Sequence, residues 1–367
     1  MKKCFTIALL AIGLMAKSQM PEIGGYLKYL PSQTFVNKGV LPSYAQDLLP
    51  SSFDDHLIHN RLNVRWFSKP YSLGEFSFEL GMRNRIFHGY QSSQPGFASS
   101  LESDPGSVDM RWLWNEPGDE LLFHSEFDRL NLTWMQGEWT VRVGRQRINW
   151  GIHNVFNPND IFNQYNYFDF DYEERPGADA LLVQRYLGDG FSSIEVAYSP
   201  NFSDVNQSTG AVLYKSNFKG YDWQVLAGYS FYDVVIGGGW AGSIGGAGFK
   251  GEAAYYQTTD EALSNSNFTM SLGGDYQFSN GIYSAVSVLY NEQGRLNPSI
   301  FDQLALQQTR LSSKNIFPYR WTFMVNASYP INPLWGVSMA WFQSHNLDQA
   351  AFIPGVTYSI ANNWDAM

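Results

Sequence analysis

The sequence predicts an all-β protein: an antiparallel, up-and-down, transmembrane β-barrel of about 16 strands, within a range of 14–18. Three observations predict it. The chain begins with an export signal, it has no later apolar stretch long enough for a membrane helix, and its strands alternate apolar and polar residues. We expect long extracellular loops and short periplasmic turns, as in other barrels of this class.

Residues 1–18 have the features of a cleaved signal peptide. Lys2 and Lys3 precede an apolar run from Phe5 to Met15, whose 11 residues are too few to span a bilayer. Small residues then place the cleavage before Gln19, so residues 19–367 form a single barrel domain. Cys4 lies in the removed segment, which excludes disulfides and thiolate chemistry from the mature protein.

The mature chain is acidic and rich in aromatic residues. Removing three signal-peptide lysines from the 24 basic residues leaves 21 against 34 acidic ones, a net charge of −13. This balance argues against a nucleic-acid partner. The 26 Phe, 22 Tyr and 33 Gly, with no later run of 18 apolar residues, leave a soluble β-protein or a membrane barrel.

Alternation favours the membrane barrel. Residues 221–231, 268–278 and 319–329 each place apolar residues on one face, with an aromatic residue at both ends. Eleven residues at about 3.3 Å rise, tilted by about 40°, give an apolar band of roughly 25 Å. Arginine at Val225 or Leu272 should therefore impair assembly, whereas arginine at Gln224 or Ser271 should be tolerated.

Short gaps with turn residues alternate with long gaps between the candidate strands. The long gap at 293–315 contains residues 298–311, which suit a loop helix. Residues 363–367 form either a short tail, which we expect, or the start of a closing hairpin that the sequence lacks. The candidate strands are 23–31, 56–67, 75–87, 122–135, 138–150, 178–187, 191–199, 210–219, 220–231, 233–241, 247–257, 267–278, 281–292, 316–329, 333–343 and 349–360.

Several charged residues alternate with the apolar residues of their strands and so lie on the opposite face, which predicts a lumen position. An arginine-rich part of the wall would favour anions. In the alternative interpretation, Glu79 and Glu126 neutralise the arginines in a structural network. The predicted lumen residues are His59, Arg61, Arg65, Glu79, Arg83, Arg85, Arg129 and Arg142.

The alternation of apolar and polar residues breaks within residues 138–150. This indicates a bulge near Gly144 or a strand that leaves the lipid at Arg145. The following loop, 151–177, carries many acids and aromatics. We expect it to pack against the mouth or into the lumen, with its acids near Arg145 and Arg147. The predicted constriction residues are Arg145, Arg147, Asn157, Asp160, Asp169, Asp171, Glu173, Glu174 and Arg175.

About forty residues resemble porin-like outer-membrane families that include the alginate-export type. The resemblance lies in VGRQRINWG at 143–151, NPNDIF at 157–162 and EERPGADA at 173–180. It implies a barrel and a channel, and some members of those families pass anionic polysaccharide. The sequence departs from them in lacking an aromatic-ended terminal strand, so the strand count of those families is not carried over to this chain.

These observations predict a passive outer-membrane channel, in contact with lipid, for small anionic or carbohydrate solutes. The alternatives are a plugged barrel that acts as an envelope interaction or assembly protein, and an outer-membrane hydrolase. We expect no enzymatic activity, no cofactor and no metal site, because the histidines lack ligand spacing and no Gly-x-Ser-x-Gly elbow occurs. The acids at 160–174 fit no twelve-residue calcium loop. The oligomeric state is left open.

Overall fold

The protein is described by a computed structural model. It covers residues 20–35, 38–40, 50–68, 74–94, 96–101, 107–115, 120–163, 176–262, 265–296, 312–345 and 350–367. The predicted signal peptide and the predicted loop helix at 298–311 lie outside these residues. The chain divides into two compact units, which we call unit 1 (1–147 and 176–181) and unit 2 (148–175 and 182–367).

Unit 1 is a meander of antiparallel strands. The pairs β1–β2, β2–β3, β3–β5, β4–β5 and β5–β6 are hydrogen-bonded. A short 3₁₀ turn (Lys38–Val40) and a short α-helix (Phe97–Leu101) lie in its connections. The strands are β1 (Glu22–Phe35), β2 (Ser52–Phe67), β3 (Glu75–Gly89), β4 (Arg111–Asn115), β5 (Leu121–Gln136) and β6 (Trp139–Gln146).

Strand β7 (Ala178–Tyr186) divides between the units after Leu181. In unit 2, each strand from β8 to β17 pairs antiparallel with the next one along the chain. A 3₁₀ turn (Val205–Gln207) precedes β9. The strands are β8 (Ser193–Ser199), β9 (Thr209–Phe218), β10 (Tyr221–Ser230), β11 (Asp233–Ile244), β12 (Ala247–Thr258), β13 (Asn267–Gln277), β14 (Tyr283–Asn291), β15 (Trp321–Pro330), β16 (Trp335–Ser344), β17 (Ala350–Ala361) and β18 (Trp364–Ala366).

All sixteen predicted strands are present, and the described residues contain two more, β4 and β18. Strand β4 lies between the predicted strands 75–87 and 122–135 and pairs with the first half of β5. The short tail that we expected at residues 363–367 instead contains a strand, because Trp364–Ala366 pairs with β17. No helix among the described residues is long and apolar enough to cross a membrane.

In each unit the distribution of apolar and charged side chains between the two faces of the sheet is the reverse of that in a soluble protein. One face, here called the outer face, leaves large apolar side chains exposed, such as Leu27 in unit 1 and Ile236 in unit 2. The other face, here called the inner face, buries polar and charged side chains such as Arg61 and Glu252. Exposed apolar surface of this extent is typical of contact with lipid.

The turn at Lys219–Gly220 shows how local sequence sets strand pairing. Both residues have positive φ, 52° and 81°, as a type I′ hairpin requires. This turn aligns Phe218 with Tyr221, and the register then continues to Thr209 opposite Ser230. Exposed apolar residues of β9 and β10, such as Val212 and Val225, consequently share the outer face.

Candidate functional site

The inner face of unit 1 is built from arginine–carboxylate pairs. Arg61 donates to both carboxylate oxygens of Asp128, at 2.6 and 3.2 Å, and both side chains are buried. Arg83 donates to Glu126 on the neighbouring strand, and this pair is buried as well. Bidentate, charge-assisted contacts of this kind fix arginine orientation as well as charge. The predicted structural network is therefore present, with Asp128 as a member that alternation did not predict.

A bulge in β5 explains why Asp128 was missed. The register between β3 and β5 shifts between Gly81 and Met82, so Asp128 and Arg129 both lie buried although they are consecutive. Alternation alone places only one of two consecutive residues on a face. Gly81 makes room for the bulge, since a Cβ there would lie 2.7 Å from Asp128 Oδ1.

The other predicted lumen residues of unit 1 lie in the same region. Arg85 donates to His124 Nδ1 at 3.2 Å, and Arg129 donates to the Asp128 carbonyl at 2.7 Å. His59 is buried beside Tyr26, whose ring centroid lies 5.3 Å away. Toward the opposite end of the strands, Arg65 contacts Glu79 at 3.3 Å in a more exposed pair, and Arg142 donates to Thr133. The structure thus brings all eight predicted residues to the inner face.

Arg145 is the most completely enclosed arginine of unit 1. Its Nε and Nη2 donate to Asp179, both at 2.8 Å, and it also donates to the carbonyls of Phe127 and Val108. The predicted bulge near Gly144 does not occur, because β6 keeps its register with β5 through Arg145. Instead, Gly144 adopts a φ of +114°, in the region that favours glycine, and Arg145 is buried although Val143 is exposed.

In unit 2, residues 148–163 lie on the inner face of the sheet, and we call this segment the inner loop. Glu252 on β12 anchors it by accepting hydrogen bonds from the backbone N–H groups of Ile152 and His153 through Oε1 and of Asn159 through Oε2. The Glu252 side chain is fully buried. A carboxylate that gathers backbone donors in this way holds a loop without a cation.

Further contacts fasten the inner loop along its length. Trp150 Nε1 donates to Glu195 on β8 at 2.8 Å, and Gln224 on β10 donates to the Trp150 carbonyl. Ser271 on β13 donates to the Phe156 carbonyl at 2.9 Å. The expectation that Gln224 and Ser271 would tolerate arginine did not take the inner loop into account. Both side chains contact the loop, so an arginine at either position must displace it.

Glycines on the inner face allow the loop to approach the sheet. A Cβ at Gly237 would lie 2.2 Å from Asn159 Oδ1, and a Cβ at Gly273 would lie 2.3 Å from His153 Nε2. Glycine where another segment approaches a strand closely is a recognised use of this residue. The glycine-rich run 237–239 is the sequence feature that indicates this close approach.

His153 lies in the inner loop, outside the strands. Its Nδ1 accepts from the N–H groups of Val155 and Phe156, at 3.2 and 3.3 Å. Burial lowers the pKa of His153 to about 4. The imidazole is consequently neutral near pH 7, and this form is the one that can accept both hydrogen bonds.

Of the predicted constriction residues, Asn157 and Asp160 are buried within the inner loop, where Asn163 donates to Asp160 Oδ1 at 3.2 Å. Arg145 is paired with Asp179 on β7, and Arg147 follows β6. The predicted approach of loop acids to Arg145 and Arg147 stays a prediction. The remaining constriction residues, which lie outside the described part of the chain, are Asp169, Asp171, Glu173, Glu174 and Arg175. No cluster of metal-ligating side chains is found among the described residues.

No protein-family model matches the sequence, and a search of curated proteins finds no match. Among solved structures, two engineered variants of a porin from Rhodopseudomonas blastica are similar to this chain. Each has a TM-score of 0.50 and 10% identity, covering 92% of this chain and 99% of the porin. At this identity the likeness shows the fold, and it confirms the predicted antiparallel, up-and-down β-barrel. The resemblance to the alginate-export type is not tested by it.

Proposed function

We propose that this protein is a porin-like channel in the outer membrane of a Gram-negative cell, through which small solutes pass without energy input. The observation that carries the proposal is the inverted polarity of the strands, with exposed apolar side chains on one face and buried charged side chains on the other. This is the arrangement expected of a barrel wall between lipid and lumen. The porin fold and the predicted signal peptide support the same location.

The proposed solutes are small anions or sugar-like molecules. Among the described residues that are buried on the inner face of unit 1, arginines outnumber carboxylates, with Arg61, Arg83, Arg85, Arg129 and Arg145 against Glu126, Asp128 and Asp179. Fixed charge on a narrow wall is poorly screened within a Debye length of about 8–10 Å and so biases permeation. The resemblance to alginate-export families makes anionic oligosaccharide the first polymeric solute to test.

The inner loop is the proposed constriction. It places the backbone of residues 148–163 and the rings of Trp150 and Phe156 over the inner face of unit 2, where they occupy space that solutes would otherwise use. Solute size is accordingly limited by a loop in unit 2, and solute charge by arginines in unit 1. A channel needs both properties to discriminate among small solutes.

Planar-bilayer recording of the purified, folded protein tests this function. We expect discrete ohmic conductance steps and a reversal potential in a salt gradient that indicates anion preference. Replacing Arg61, Arg83 and Arg129 with Gln should move that potential toward zero or to cation preference. Cation preference in the unmodified protein would contradict the proposed selectivity while leaving the channel proposal intact.

A second candidate function is a plugged barrel that binds an envelope partner through its loops. The near-complete burial of Arg145 and Glu252 favours it, because groups that line an open pore are usually hydrated. Absence of conductance from demonstrably folded protein would favour this candidate over the channel. Turnover of phospholipid or ester substrates would instead point to the hydrolase considered from the sequence.

A further inference from the structure

A second segment, residues 312–317, also lies on the inner face of unit 2, and we call it the latch segment. Lys314 Nζ donates to both carboxylate oxygens of Asp233 at the start of β11, at 2.8 and 2.9 Å. Both side chains are almost entirely buried. The Lys314 carbonyl accepts from Asn267 at 2.6 Å and from Thr269 at 3.3 Å. The segment is thus fastened to β11 and β13 around a single lysine.

The latch segment contacts the inner loop directly. The rings of Phe156 in the loop and Phe317 in the latch lie edge to face, with centroids 5.5 Å apart. They belong to one buried apolar cluster with Leu289, Ile316 and Met324. Edge-to-face aromatic pairs prefer this geometry, and truncating one ring removes both the pair and its packing.

Tyr256 on β12 joins the same two segments by hydrogen bonds. Its hydroxyl donates to the Pro158 carbonyl of the inner loop at 2.6 Å and lies 2.9 Å from Ser313 Oγ of the latch segment. The inner loop therefore shares an apolar contact and a polar bridge with the latch. Movement of the latch would remove support from residues 156–158.

We propose that the latch segment is a second gate element, which holds the inner loop in its constricting position and releases it when the Lys314–Asp233 pair opens. This inference rests on the proposed channel function and adds to it a device that sets pore size. The net contribution of a buried ion pair is small, because desolvation offsets most of the attraction. In a water-filled lumen both charges are rehydrated when the latch leaves, so docked and undocked states can be close in free energy.

The test compares single-channel conductance and the largest permeant neutral polymer for the full-length folded protein and its variants. Asp233→Ala leaves Lys314 buried without its carboxylate, and Phe317→Ala removes the apolar contact from the latch side. We expect both to raise conductance by about twofold or more and to admit larger polymers, as a wider constriction requires. Lys219→Met, in the exposed β9–β10 turn, is the charge-removal control and should leave both readouts unchanged.

The exchange variant Asp233→Lys with Lys314→Asp separates a latch from a simple charge effect. It keeps the net charge and can re-form the pair, so it should return conductance and polymer size toward the unmodified values. A role in charge alone would move the reversal potential and leave the polymer limit as it was. Unchanged conductance and polymer limit in folded Asp233→Ala and Phe317→Ala would overturn the latch. A silent unmodified protein with conducting latch variants would refute the open-channel proposal and support the latch.

Discussion

In unit 1 the inner face is filled by long arginine side chains paired with carboxylates, whereas in unit 2 it is covered by the backbone of the inner loop. Strands β2, β3 and β5 of unit 1 carry Arg61, Arg83 and Arg129 on this face. Strands β11 and β13 of unit 2 carry Gly237 and Gly273 on their inner face. Small residues leave space that a loop can enter, and large ones occupy that space themselves. The same strand pattern thus supports two ways of filling a polar interior.

The largest expected effect distinguishes the outer face from the inner face. Val225→Arg and Leu272→Arg place a charge on the outer face, at a cost of about 2–4 kcal/mol near the bilayer midplane, and should block assembly. Ser338→Arg places it on an inner position of β16 that is exposed, and should assemble normally. The outcome is measured by gel electrophoresis, in which a folded barrel migrates differently before and after heating. Equal assembly of all three variants would contradict the membrane-barrel assignment.

The same comparison can be sharpened within the inner face. Ser271→Arg lies beneath the inner loop, so its side chain must displace residue 156 or fail to fit. We expect folded protein with a displaced loop, detected as faster proteolysis at residues 148–163 than in Ser338→Arg. Identical digestion of the two variants would mean that the loop does not cover Ser271 in the membrane.

A glycine substitution tests the space requirement directly. Gly273→Val brings side-chain atoms into the position of His153 Nε2, so the inner loop should lift and conductance should rise. Gly336→Val is the matched control, because a Cβ at Gly336, another inner-face glycine, would meet no atom within 4 Å. A rise in both variants would indicate a general effect of strand distortion.

In unit 1 the corresponding test removes a charge. Asp128→Asn leaves Arg61 with a neutral partner, and breaking a buried pair on one side costs about 3–5 kcal/mol. We expect a lower unfolding temperature and a shift of reversal potential toward anions. The double variant Arg61→Met with Asp128→Asn should recover most of the stability. No loss of stability in Asp128→Asn would show that the pair is hydrated in the native barrel.

The smallest expected effect is a pH dependence of the inner loop. The pKa of His153 is about 4 when the loop is docked and near 6.5 when the ring is free. The stability of the docked loop is therefore greatest above pH 6.5 and falls as the pH is lowered toward 4. Protonation also converts Nδ1 from acceptor to donor, which breaks its contacts with residues 155 and 156. Conductance should rise between pH 6.5 and 4. Lys250 and Asp275 carry charges near the ring, and Glu252 accepts from the His153 backbone N–H. The His153→Gln variant therefore isolates the share of the histidine, and an identical pH profile in that variant would exclude His153.

Period-two alternation, together with the turn residues between segments, predicted all sixteen of the candidate strands. Alternation also predicted the inner face of His59, Arg61 and Arg83, because each residue's side is set by the pleat. It did not predict the inner position of Asp128, which a bulge creates, and at Arg145 it indicated a break in the pattern without the positive φ of Gly144 that causes it. A nearby glycine is the only local sequence feature that marks either the bulge or the positive φ.

Contacts between distant segments were also beyond the sequence. Glu252 lies about a hundred residues from the inner-loop groups that it binds, and alternation identifies it only as an inner-face acid. The latch pair Lys314–Asp233 has a comparable separation. These partners are determined by how distant segments of the chain pack on the sheet, which no local sequence pattern encodes.

We propose that the inner loop, anchored by Glu252, sets the width of the channel, and the single-channel conductance of Glu252→Ala is the decisive test of this claim. Removing this carboxylate takes the acceptor from three backbone N–H groups and should release the loop. We predict higher conductance and passage of larger neutral polymers. Glu79→Ala, which removes the same charge from the inner face of unit 1, should shift only the reversal potential. Unchanged conductance in folded Glu252→Ala, or an equal increase in Glu79→Ala, would contradict the claim.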